Sequence, residues 1–94
     1  MKKKTSYGFL LKKIRKEKEL SQDEMAEIFK EIGIAKKESQ LLSVKNHISA
    51  YERGVKFFSL NKIAILCEYL NLDFDFNLKI SNDGKELFSD NVFI

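Results

Sequence analysis

Residues 43–54 read SVKNHISAYERG. Val44, Ile48 and Tyr51 recur at helical spacing, and Gly54 is the residue type that most readily ends a helix. Between the apolar positions lie Lys45, Asn46, His47 and Ser49, whose side chains donate and accept hydrogen bonds and make poor core. One face of this segment therefore seats on a core, with Tyr51 inside, and the other offers polar groups to something beyond the chain.

The flanking segments supply the core. Upstream, a first helix is expected over about Ser6 to Glu19, with Tyr7, Leu10, Leu11 and Ile14 on one stripe. Ser21-Gln22-Asp23-Glu24 has the form of a capping box, so a second helix follows with Met25, Ile28, Phe29 and Ile32 inward and Gly33 at its end. Residues 34–42, IAKKESQLL, are open between an extra helical turn and an ordered loop. Ser43 is the expected N-cap of the third helix, 44 to 53. Downstream, Phe57 and Phe58 are expected between helices three and four rather than as an exposed patch. Ser59 caps a fourth helix over 60 to 70, and Asn71 can take the left-handed conformation beyond it.

The period then changes. Phe74, Phe76, Leu78 and Ile80 alternate with Asp75, Asn77 and Lys79, which predicts one strand. Ser81-Asn82-Asp83-Gly84 is turn chemistry, with Lys85 to Phe88 as a return strand. The fold class read here is mainly α: a small helical bundle, 1–72, followed by a short C-terminal β-strand or hairpin, 73–94.

Composition narrows the function. No apolar run approaches the ~20 residues that cross a bilayer, and MKKKTSYGFLLKKIRK lacks an apolar core and cleavage site of the secretory kind, so the expected location is cytoplasmic with no membrane contact. Cys67, the one cysteine, lies in the apolar run IAILCEYL and reads as an inert buried thiol; with His47 it falls short of a metal site. There is no Gly-rich phosphate loop, no GxSxG and no paired His/carboxylate arrangement. The expectation is a non-enzyme without a cofactor.

Charge is segregated. Residues 1–66 hold 15 Lys/Arg against 8 Asp/Glu, a balance of +7, whereas residues 67–94 hold 2 against 6, a balance of −4. A basic body suits a polyanion, with a different role for the acidic end. Lys2, Lys3 and Lys4 fit either a basic arm that adds electrostatic attraction or a simple tail.

The lead-in IRKEKELSQ (14–22), Ala26 in helix two, IS-YERG closing helix three and the SL-KI—L—L-L pattern of helix four occur in this order. Together they resemble the phage repressor and Cro-like (XRE) family, over about residues 8–72. The resemblance implies a lambda-repressor-like helix-turn-helix whose third helix enters the major groove of double-stranded DNA. Lysine donates to guanine, asparagine pairs with adenine and serine serves either. Lys45, Asn46 and Ser49 are therefore the implied base contacts, and Gln22, His47, Arg53 and Lys56 the implied phosphate contacts. Arg15 and Glu52 match a structural salt bridge of the family.

The chain departs from the pattern in one place. Lys30 stands where the family has a glycine in a tight turn, and Ala26 precedes Ile48 by 22 residues, an insertion of about twelve. The insertion can extend helix two, lengthen helix three or form its own turn, and it decides whether Lys36 and Lys37 join the DNA surface.

The expected function is a transcriptional regulator, a repressor acting as a homodimer on a pseudo-palindromic operator, with Asp73 to Ile94 as the dimer element. The alternative for that tail is a hairpin folded back on its own helices. The alternative function is an antitoxin whose acidic tail holds a toxin and whose helices autoregulate its operon.

Overall fold

A computed structural model describes residues 6–75 and 79–89. Lys2, Lys3 and Lys4, the middle of the alternating run (Phe76, Asn77 and Leu78) and the last five residues of the tail lie outside the described residues. Four helices, α1 (Phe9–Glu17), α2 (Gln22–Glu31), α3 (Leu41–Glu52) and α4 (Leu60–Tyr69), precede strands β1 (Asp73–Asp75), β2 (Lys79–Asn82) and β3 (Lys85–Ser89). The strands form one antiparallel sheet in the order β1-β2-β3. The architecture is helix-rich but mixed.

α1 starts later than its apolar stripe suggests. Ser6 and Tyr7 are used against the α3–α4 connection instead: the Tyr7 N–H donates to the Phe58 carbonyl (2.9 Å), and the Ser6 hydroxyl accepts from the Phe58 N–H (3.0 Å). Gly8 follows because the chain presses on α3, where an added Cβ would lie 2.1 Å from the Tyr51 carbonyl oxygen. Beyond α1, Glu19 takes a left-handed φ of 55°, and the Leu20 N–H closes the end by donating to the Arg15 carbonyl (2.8 Å).

α2 begins in the capping box. The Ser21 hydroxyl accepts from the Glu24 N–H (3.1 Å), and the Glu24 carboxylate accepts from the Ser21 N–H (2.8 Å). Asp23 and Glu24 in the first turn also suit the positive end of the helix dipole.

Residues 32–40 form turns, and α3 starts earlier than expected. Gln40, not Ser43, is the N-cap, and Ser43 lies inside the first turn. The physical reason is packing: Leu41 is half-buried against the core and extends the apolar period 44, 48, 51 backward, while the Val44 N–H donates to the Gln40 carbonyl (3.1 Å). Ser59 caps α4 by accepting from the Lys62 N–H (3.3 Å), and Asn71 beyond it has φ 58°.

The alternating run is not one strand. β1 and β2 pair antiparallel with Phe74 opposite Ile80 and Asp75 opposite Lys79. β2 continues through Asp83-Gly84, both at positive φ (51° and 83°), into β3. A two-residue loop with both angles positive matches the right-handed twist of its strands.

One cluster of buried side chains spans every helix and reaches into the sheet: Leu10, Leu11 and Ile14; Met25, Ala26 and Phe29; Val44 and Ile48; Phe58; Ile63, Leu66 and Cys67; Leu72 and Ile80. The two phenylalanines after α3 part company. Phe58 is fully buried, its ring 5.7 Å from Phe29 and 4.8 Å from the half-buried Tyr51, while Phe57 is half exposed. The sheet folds back on the helices of its own chain. Ile80 is buried, the Phe88 ring meets Phe9 edge-on at 5.6 Å, and Glu17 accepts from the Asn82 amide (3.0 Å) and Lys85 ammonium (3.2 Å). Those two partners hold the Glu17 carboxyl below its ordinary 4.5. Among the described residues, no helix is long and apolar enough to cross a membrane.

Candidate nucleic-acid interface

The polar face of α3 is held in place by a network at its far end. Glu52, with a side chain only 7% exposed, accepts from Arg15 Nε (3.0 Å) and Nη2 (3.2 Å) and from the Gln22 amide (3.3 Å). Arg15 Nη1 donates to the Leu20 carbonyl (3.2 Å). One carboxylate thus ties the last turn of α3 to α1 and to the first residue of α2, and the fork of the guanidinium fixes direction as well as distance. Gln22, implied as a phosphate contact, uses its side-chain amide inside this network.

Val44 and Ile48 are buried, so the opposite side of α3 faces away from the core. At about 100° per residue, Leu42, Asn46, Ser49 and Arg53 fall within about 60° of arc, with Lys45 on their flank. Asn46 and Arg53 are exposed and Ser49 is half-buried. Arg53 Nε donates to the Ser49 hydroxyl (3.4 Å), one turn away on the same stripe. Lys45 lies over the start of α2, its ammonium 3.3 Å from an Asp23 carboxylate oxygen. Both side chains are more than one-third exposed, so the pair is worth about 0–1 kcal/mol and can part for another acceptor.

Not every implied contact shares that stripe. Lys56 is exposed just beyond Gly54. His47 faces the turns over 32–40, where it lines a cleft with Lys36, Ser39, Ser43 and, at its floor, Phe29 and Val44. Lys37 lies in a different cleft, beside Lys30 and Leu41. The basic side chains therefore divide among the α3 stripe, the segment after Gly54 and the turns over 32–40.

Sequence reasoning missed two residues of this surface. Leu42 is 66% exposed in the first turn of α3, a place visible only once the helix starts at Leu41. Asp23 stands inside the capping-box sequence, and its pairing with Lys45 joins residues on different helices. Among the described residues, no group of His, Cys, Asp and Glu could hold a metal ion. Burial pushes the Cys67 thiol up to about 11. No family model, curated protein or solved structure matches the chain.

Proposed function

We propose that this chain is a sequence-specific DNA-binding transcriptional regulator of the lambda-repressor-like helix-turn-helix type, with α2 and α3 as the motif. The observation that carries this reading is the division of α3: one side buried, the other a stripe of Asn46, Ser49 and Arg53 with Lys45 beside it, on a helix clamped at its end by Glu52. Lys45 reaches guanine after leaving Asp23, Asn46 pairs with adenine, and Ser49 contacts the next base. Arg53 and Lys56 hold phosphates, and His47 reaches the backbone from the side of the turns over 32–40. Gln22 acts first through Glu52, by fixing where α2 begins.

The protein acts in the cytoplasm and represses by occupying an operator. One recognition helix covers a few base pairs, so a homodimer on half-sites ~34 Å apart supplies the missing specificity. The sheet packs through Ile80 on its own helices, and the C-terminal segment is the proposed contact with a second copy.

A second reading, an antitoxin, draws on the groove between α4 and β1. Ile65, Leu72 and Phe74 line it beside the acidic Glu68 and Asp73. That surface suits a basic partner protein.

The test is fluorescence anisotropy on duplexes enriched from a random library, over a salt series. The proposal expects nanomolar or tighter binding to the enriched duplex, at least ~10³-fold weaker binding to a scrambled one, and loss of the difference in Lys45→Ala/Asn46→Ala. With two phosphate-bound cations per protomer, log K falls with log salt at a slope of about −4. Equal binding to enriched and scrambled duplexes refutes it.

A further inference from the structure

The first turn of α3 carries a side chain that neither the core nor a hydrogen-bonding surface explains. Leu42 is 66% exposed, while its neighbour Leu41 packs against the core and Val44 and Ile48 are buried. It is on the same stripe as Asn46, Ser49 and Arg53, one turn nearer the helix N-terminus. In a helix-turn-helix those first turns approach base edges. A leucine brought against base edges meets donors and acceptors that it would strip of water without replacing. The exception in the major groove is the C5-methyl of thymine.

We propose that Leu42 reads a thymine methyl group and is a specificity-determining residue of the interface. The assignment rests on the DNA-binding reading above. At 1.5 Å per residue Leu42 stands about 6 Å along α3 from Asn46, so the thymine lies one or two base pairs from the adenine read by Asn46. Leu41 seats the first turn on the core side, and the Val44 N–H donates to the Gln40 carbonyl (3.1 Å). The insertion thus does more than lengthen a turn. It moves the start of α3 back to Leu41, and an apolar contact joins a stripe that is otherwise polar.

Deoxyuridine keeps every hydrogen-bonding group of thymine and lacks the methyl, so it tests the contact without altering the protein. Each thymine of an enriched duplex is replaced in turn, and affinity is measured for wild type and Leu42→Ala. Burial of one methyl group is worth about fourfold, and about fifteenfold when both half-sites are changed. The expected result is one thymine per half-site whose replacement weakens wild type by that factor and leaves Leu42→Ala unaffected. Specific binding that no deoxyuridine changes, or a deoxyuridine penalty that Leu42→Ala retains, overturns the role of Leu42 alone. Absence of any sequence preference in wild type overturns both this role and the DNA-binding reading.

Discussion

Replacing Glu52 by alanine removes the carboxylate that gathers Arg15 and Gln22. Glu52 is 7% exposed and Arg15 16%, so three hydrogen bonds are lost from a nearly dry site, and among the described residues the guanidinium keeps the Leu20 carbonyl. One-sided removal of a buried partner costs about 3–5 kcal/mol. Arg15 has a route to water, which places the loss near the lower bound, at about 3 kcal/mol. For a domain of this length that is roughly 12–24 °C in melting temperature. Urea unfolding followed by circular dichroism measures it, with an unchanged m-value expected because the core is untouched. Arg15→Met alone should cost a similar amount, and the double variant less than the sum, with a coupling energy of about 1–3 kcal/mol. A loss below 1 kcal/mol, or additive single effects, would refute the claim that this network holds α3.

Four further outcomes are expected. Asp23→Asn removes a negative charge from the interface and releases Lys45, so it should tighten DNA binding by about two- to fivefold at low salt, measured by anisotropy; weaker binding would give Asp23 a positioning role. Gly8→Ala places a methyl 2.1 Å from the Tyr51 carbonyl oxygen, and a loss of about 1–3 kcal/mol is expected from forced separation of α1 and α3. The lowered pKa of Glu17 means that its contribution is present above about 4.5 and fades as pH falls through the folded-state value; carbon-detected NMR titration should show the depression in wild type and its reduction in Asn82→Ala. Cys67, raised to about 11 by burial, should resist a disulfide reagent at pH 8 until the protein unfolds in urea.

Much of this arrangement is legible in local sequence. Ser21 and Glu24 stand three apart ahead of an apolar stripe, and the box they form is local chemistry. Ser59 and Asn71 bracket α4 for the same reason. The misjudged boundaries depend on distant contacts. Ser43 has good N-cap chemistry, yet the packing of Leu41 outweighs it and starts α3 earlier. The beginning of α1 is set by the Tyr51 carbonyl and by Phe58, far away in the chain. The β1–β2 reversal is hidden by parity: Phe74 pairs with Ile80, so both even-numbered residues keep the same face whether the chain runs straight or folds back. On the interface, residue types at Lys45, Asn46 and Ser49 suggested a surface, but the Lys45–Asp23 pair and the Gln22–Glu52 bond exist only between helices.

The most direct test of the central claim is to titrate the isotopically labelled protein with an enriched duplex and map amide shifts. The largest shifts are expected along α3, from Leu42 through Arg53, with smaller ones at Lys56 and the start of α2 and little change in β1–β3. Shifts concentrated on the sheet or on the α4–β1 groove, with α3 unmoved, would contradict it.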